Sequence, residues 1–128
     1  MRVMPAPKKP TDAEVAILRV LWDRGPSTVR EVAEVMGREN AYTTVLKLLQ
    51  IMTEKRLVRR DESAQAHVYE AAYSEGHTQK QIVTDLLTRV FDGSAGKLVL
   101  QALASGKASP EELAEIRKLI DKQRGGRR

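Results

Sequence analysis

The chain has 128 residues, 41% hydrophobic and 30% charged, enough apolar matter for one ordinary domain or a small module with an appendage. Cysteine is absent, which excludes disulfides, thiolate metal sites and cysteine nucleophiles. Lys and Arg outnumber Asp and Glu by 22 to 17, a net charge of +5 that suits a polyanionic partner without demanding one. Aromatic residues are only 4% of the total, so the core must be mainly aliphatic, as helical folds allow. No apolar run approaches the roughly 18 residues of a membrane span, and the opening "MRVMPAPKKP" has no apolar stretch of the secretory kind. The expectation is a cytoplasmic protein with no membrane insertion.

In chain order, residues 1–10 carry three prolines and read as a flexible arm. Thr11 and Glu14 have capping-box spacing, so a helix is expected to start at Asp12, with Val15, Leu18, Leu21 and Trp22 on one apolar face. Gly25 and Pro26 stop it. A second capping box, Thr28 with Glu31, opens a short helix that presents Val29, Val32, Ala33 and Met36 and ends at Gly37. Asn40 is placed to cap a longer helix that begins at Ala41. Leu57-Val58 and Val68-Tyr69 then read as the strands of a small hairpin, about Leu57 to Ala72, with polar "DESAQ" between them.

Further on, Gln79 to Phe91 reads as a helix with Ile82, Val83, Leu86, Leu87, Val90 and Phe91 on a broad apolar face. "DGS" breaks it. Ala95 to Ala104 carries Leu98, Val99, Ala102 and Leu103. In "SGKASPEE", Gly106 ends that helix, Ser109 caps the next, Pro110 takes its first position and Glu112 closes a capping box. Leu113, Ile116, Leu119 and Ile120 form the last stripe, and residues 124–128 read as a disordered basic tail. Roughly 50 residues of short helices seldom close a core of their own. These faces either fold back on the first segment or meet a second copy of the chain in a two-fold interface.

Chemistry of the catalytic kind has little support. His67 and His77 stand without a carboxylate pair, a nucleophile or a ligand spacing, so no metal and no cofactor is expected. There is no P-loop, dinucleotide fingerprint or GxSxG elbow, and the chain reads as a non-enzyme.

The helix from Ala41 carries the other signal. At about 100° per residue, Val45, Leu48, Leu49 and Met52 gather on one side, and Thr43, Lys47, Gln50 and Glu54 on the other. Alone, such a ridge is the solvated face of an amphipathic helix. Following a short helix and a turn, it becomes the second helix of a helix-turn-helix, whose polar N-terminal ridge suits phosphates and base edges. From Asn40 to Arg60, Lys47, Lys55, Arg56, Arg59 and Arg60 stand against Glu54 alone, while the rest of Thr11 to Tyr73 is net acidic. Positive charge is concentrated where a DNA-binding surface would lie. The reading left open beside it is a winged helix that binds a protein and has no DNA role.

"ILRVLWDRGPSTVREV" followed by "AYTTVLKLLQIMTEKRLV" resembles the penicillinase-repressor family of winged-helix transcriptional repressors, the BlaI, MecI and CopY type. The resemblance runs from about Pro10 to Gln123 and includes "VFDGSAGKLVLQAL". It implies a mainly α, α+β fold: a winged helix-turn-helix over residues 11–73 with a small β-hairpin wing, then a helical dimerisation region over residues 74–123.

It also implies a homodimeric bacterial repressor that binds a palindromic operator in double-stranded DNA, often with TACA/TGTA-like half-sites, and controls a β-lactam-resistance or related stress regulon. Carried over by motif, Ala41, Tyr42, Thr43, Thr44 and Lys47 start the recognition helix, and Thr28 and Arg30 are phosphate contacts at a helix N-terminus. Arg59, Arg60, Gln65 and His67 belong to the wing.

The chain departs from the family pattern in three places. The wing tip "ESAQA" is less basic than family wings, and the cysteine motif of the copper-responsive branch is missing, which argues against copper sensing. In the β-lactam branch, release uses cleavage of an Asn-Phe bond, and here that position reads Gln101-Ala102. A membrane-embedded metalloprotease-type sensor is the partner that branch implies.

Overall fold

A computed structural model describes residues 9–37 and 41–125. The expected arm up to Lys8, the cap at Asn40 and the last three residues of the expected tail lie outside the described residues. The chain divides into two compact units, Met1–Ile82 and Val83–Arg128.

The first unit begins with α1 (Asp12–Arg24), β1 (Ser27–Thr28), α2 (Val29–Met36) and α3 (Ala41–Glu54). Both capping boxes close as the spacing requires. The Glu14 N–H donates to Thr11 Oγ1 at 3.2 Å and the Thr11 N–H to Glu14 Oε1 at 2.9 Å. Thr28 and Glu31 repeat the pattern at 3.2 and 2.8 Å. Each box satisfies two of the N–H groups that a helix start leaves without partners. Gly37 ends α2 at φ 65, a left-handed position that costs glycine nothing, and its N–H closes on the Ala33 carbonyl.

After α3 come β2 (Val58–Asp61), β3 (Val68–Ala71) and α4 (Glu75–Arg89). The expected hairpin is present, but a third strand joins it. Ser27 and Thr28 pair antiparallel with Tyr69 and Val68, giving the sheet order β1-β3-β2. Two residues after a Gly-Pro turn carry no periodicity, so only pairing with β3 reveals them as a strand. Helix α4 starts four residues before the expected Gln79, because Ser74 caps it: the His77 N–H donates to Ser74 Oγ at 3.1 Å. His77 thus lies in the first turn of α4, its ring stacked on Tyr73 with centroids 4.8 Å apart.

Ile17, Leu18 and Leu21 of α1, Val29 and Val32 of α2, and Ala41, Val45, Leu49 and Met52 of α3 form one aliphatic core with Leu57, Val58 and Tyr69. Trp22 ties α1 to the segment after the sheet through a 2.9 Å hydrogen bond from its indole N–H to the Tyr73 carbonyl. Burial of the α3 side chains alone, at about 1.5–3 kcal/mol for each large aliphatic residue, commits that helix to one orientation.

The second unit holds the end of α4, then α5 (Ala95–Ala104) and α6 (Pro110–Gly125). Ser94 caps α5 through the Lys97 N–H, and Ser109 with Glu112 forms the expected box at α6. Helix α6 runs on through Arg124 and Gly125, so these two residues are helical and not part of a disordered tail. None of the described residues in this unit is buried. Leu86, Leu87, Phe91, Leu98, Leu103 and Ile116 are half-buried, while Val83, Val90, Val99, Leu113, Leu119 and Ile120 are exposed. Among the described residues, Leu100 is the most exposed of the large apolar side chains, at 68%. Three helices with this many apolar side chains in water form an incomplete core.

Candidate nucleic-acid interface

Helices α2 and α3 are consecutive, packed on one another and on α1, with a glycine-capped turn after α2. Burial divides α3 lengthwise. Val45, Leu49 and Met52 are buried and Leu48 half-buried, while Tyr42, Thr43, Thr44, Lys47, Gln50 and Glu54 are exposed. The ridge read from the helical wheel is therefore the solvent side of the helix. Ala41 is placed otherwise than expected. It is 8% exposed and belongs to the core, because the first turn of α3 rests on α1 and α2; its role is to seat the helix.

The charge distribution is also reorganised. Lys55, counted with the basic run, points inward and places Nζ 2.8 and 3.0 Å from the two carboxylate oxygens of Glu14, a residue 2% exposed. Burial pushes the Glu14 carboxyl up, but hydrogen bonds from Lys55 and Thr11 and the Lys55 charge outweigh it and hold the group below its ordinary value of 4.5. This pair fastens the C-terminal end of α3 to the start of α1. No local pattern announces it, since the partners are 41 residues apart and Glu14 is already explained by its capping box.

Just beyond, the Leu57 N–H donates to the Met52 carbonyl and the Arg56 N–H to the Thr53 carbonyl, a Schellman closure with Arg56 at φ 67. Leu57 and Met52, the apolar pair that accompanies such a closure, are both buried.

The wing arginines are likewise engaged. Arg59 and Glu70 face each other across β2 and β3, with Arg59 Nε 3.4 Å from Glu70 Oε1. Arg60 reaches Glu62 at 2.8 Å, and hydrogen bonds to the Tyr69 side chain and to Glu62 raise its pKa above the ordinary value. Successive strand residues point to opposite faces, so Arg59 and Arg60 address different sides of the hairpin. At the tip the Asp61 carboxylate accepts from the Ser63 N–H at 2.9 Å, which lowers its pKa. Gln65 and His67 are exposed there, with His67 Nε2 4.0 Å from Glu62 Oε1.

At the start of α2, Arg30 is exposed and Thr28 half-buried. The Glu31 carboxylate already occupies that helix end, accepting from the Thr28 N–H, and lies 3.3 Å from Arg24. The Thr28 N–H is the main cause that lowers the Glu31 pKa. A phosphate approaching here meets that negative charge, so Arg30 must supply the attraction.

Gln101 and Ala102 lie on α5, both exposed, and their carbonyls accept from the Ser105 backbone N–H and hydroxyl respectively. Among the described residues, no group of three or more His, Asp or Glu is placed to hold a metal ion, and no helix is long and apolar enough to cross a membrane.

The family model described as "Penicillinase repressor" matches residues 10–122. The chain is 30% identical over 117 residues to the protein named "Transcriptional regulator BlaI" in two strains of Mycobacterium tuberculosis, an alignment covering 89% of this chain and 85% of that protein. It is 20% identical over 116 residues to the "Penicillinase repressor" of Bacillus licheniformis, covering 89% of this chain and 91% of that one. Matched over nearly its whole length, with its winged helix-turn-helix and the helices that follow, the chain belongs to the penicillinase repressor family.

Proposed function

We propose that this protein is a transcriptional repressor, not an enzyme, and that it binds operator DNA as a homodimer with α3 in the major groove. One observation carries the reading: α3 is buried along Val45, Leu49 and Met52 and presents an exposed ridge of Tyr42, Thr43, Thr44 and Lys47 at the start of the second helix of a helix-turn-helix. Hydroxyls and a lysine can donate to phosphate oxygens and to the acceptors of guanine or thymine. Thr28 and Arg30 flank the groove as phosphate contacts, and the wing, through Arg59, Gln65 and His67, follows the backbone. Of the two wing arginines, Arg59 is the more available, being 65% exposed with its carboxylate partner at 3.4 Å.

In this reading residues 11–73 form the DNA-binding domain and residues 74–123 the dimerisation region. The absence of any buried side chain among the described residues of the second unit supports it, since a second copy would cover the faces that the single chain leaves wet. Two linked reading heads gain affinity because one bound half-site raises the effective concentration at the other. Repression follows from occupying a promoter, and relief from loss of the dimer. A metalloprotease-type membrane sensor is the proposed source of that loss. The bond at Gln101–Ala102 lies within helical α5, so cutting there requires local unwinding.

The test is a footprint of the purified protein on its own upstream region. Protection of two inverted half-sites about one or more helical turns apart is expected. Binding that ignores sequence would overturn operator recognition, and no shift of promoter DNA at physiological salt would overturn the reading in favour of a protein-interaction module.

A further inference from the structure

The α3 ridge does not stop at Lys47. Thr43, Lys47 and Gln50 fall within roughly 60° of one another around the helix at about 100° per residue, and all three are exposed. Gln50 stands one turn beyond Lys47, and its carboxamide makes no hydrogen bond to another described residue. The next residue on the same line is Glu54, also exposed, whose carboxylate repels phosphates and so bounds the ridge at that end.

We propose that Gln50 is a second base-reading side chain of α3, its carboxamide pairing bidentately with adenine in the base pair next to the one met by Lys47. The inference rests on the reading of α3 as the recognition helix. At about 1.5 Å per residue, Lys47 and Gln50 are about 4.5 Å apart along the axis, close to the roughly 3.4 Å spacing of stacked base pairs. Chemistry then assigns the base. A carboxamide offers one donor and one acceptor side by side, which matches N7 and N6 of adenine in the major groove and no other base as well. Lysine, with donors only, matches O6 and N7 of guanine.

The experiment uses the full chain and duplexes carrying the footprinted operator, with every base pair of one half-site changed in turn. Binding of the unaltered protein, Gln50→Ala and Gln50→Glu is measured on each. Gln50→Ala is expected to bind the unchanged operator roughly 5- to 150-fold more weakly, and to lose discrimination at one A·T pair per half-site while keeping it elsewhere. Gln50→Glu is expected to shift preference at that same pair towards cytosine, whose N4 amino group donates to a carboxylate.

Gln50 is exposed, so both variants should keep the native Trp22 fluorescence. If the unaltered protein discriminates among the duplexes and Gln50→Ala shows the same profile at every position, the role of Gln50 is refuted and the reading of α3 stands. If the unaltered protein discriminates among none of them, both fall together.

Discussion

Replacing Lys55 with alanine separates two meanings of a basic residue at the end of a recognition helix. In the structure its ammonium group makes 2.8 and 3.0 Å contacts with both oxygens of Glu14, whose side chain is 2% exposed, while Lys55 itself is 22% exposed. Removing one partner of a buried pair strands the other charge, which typically costs about 3–5 kcal/mol. Partial exposure of Lys55, together with the Thr11 N–H that still serves Glu14, reduces this to about 2–3 kcal/mol.

The assay is reversible urea unfolding at pH 7, followed through Trp22, the single tryptophan and a member of the first unit. The sign with pH follows from Glu14. In the unaltered chain its folded pKa is lowered, so the pair's contribution is present above the unfolded value, near 4.5, and fades as pH falls through the folded one. In Lys55→Ala the lowering by Lys55 is lost while burial remains, so that pKa moves upward relative to the unaltered chain and the difference between the two proteins should shrink on acidification. Operator affinity measured where both are folded should change little. A Lys55→Ala protein as stable as the original, within about 0.5 kcal/mol, but with weakened DNA binding would refute the inward assignment.

Other expectations follow from the same geometry. Arg56→Gly should stabilise the first unit by about 1 kcal/mol in the same urea assay, because Arg56 holds φ 67, where glycine has no Cβ penalty. Lys47→Ala should weaken operator binding by about 1–3 kcal/mol without changing the unfolding midpoint; unchanged affinity and unchanged salt dependence would remove it from the interface. Arg59→Ala should weaken binding equally on all sequences and make the salt dependence shallower by about one counterion, whereas Arg60→Ala should do so less, since the two point to opposite faces; equal slopes would contradict that assignment. Leu100→Lys should shift sedimentation of the full chain towards monomer and lower affinity for a full operator, and a dimer that survives would place the interface elsewhere on the second unit.

Much of this protein is local and so was legible in the chain itself. The capping boxes at Thr11, Thr28 and Ser109, the glycine stop at Gly37 and the two-sided α3 all follow from spacings within one or two turns, and each appears where its residues put it. The family, too, is written in contiguous motifs, and the penicillinase repressor match over residues 10–122 follows them.

What only the tertiary structure decided depends on partners distant in sequence. Lys55 and Lys47 look alike on paper, yet one is drawn inward by Glu14 and the other stays outside, because only folding brings α1 beside the end of α3. Ala41, which the family motif carries to the DNA side, shares the face of Val45 and Leu49 and belongs to the core, and Ser27-Thr28 becomes a strand only when β3 arrives to pair with it. Arg59 and Arg60 are neighbours in sequence and opposites in space, by the pleat of β2, with Glu70 across from one and Tyr69 across from the other. Periodicity assigns a residue to a face of its own element; the neighbouring element decides whether that face meets water, a carboxylate or the core.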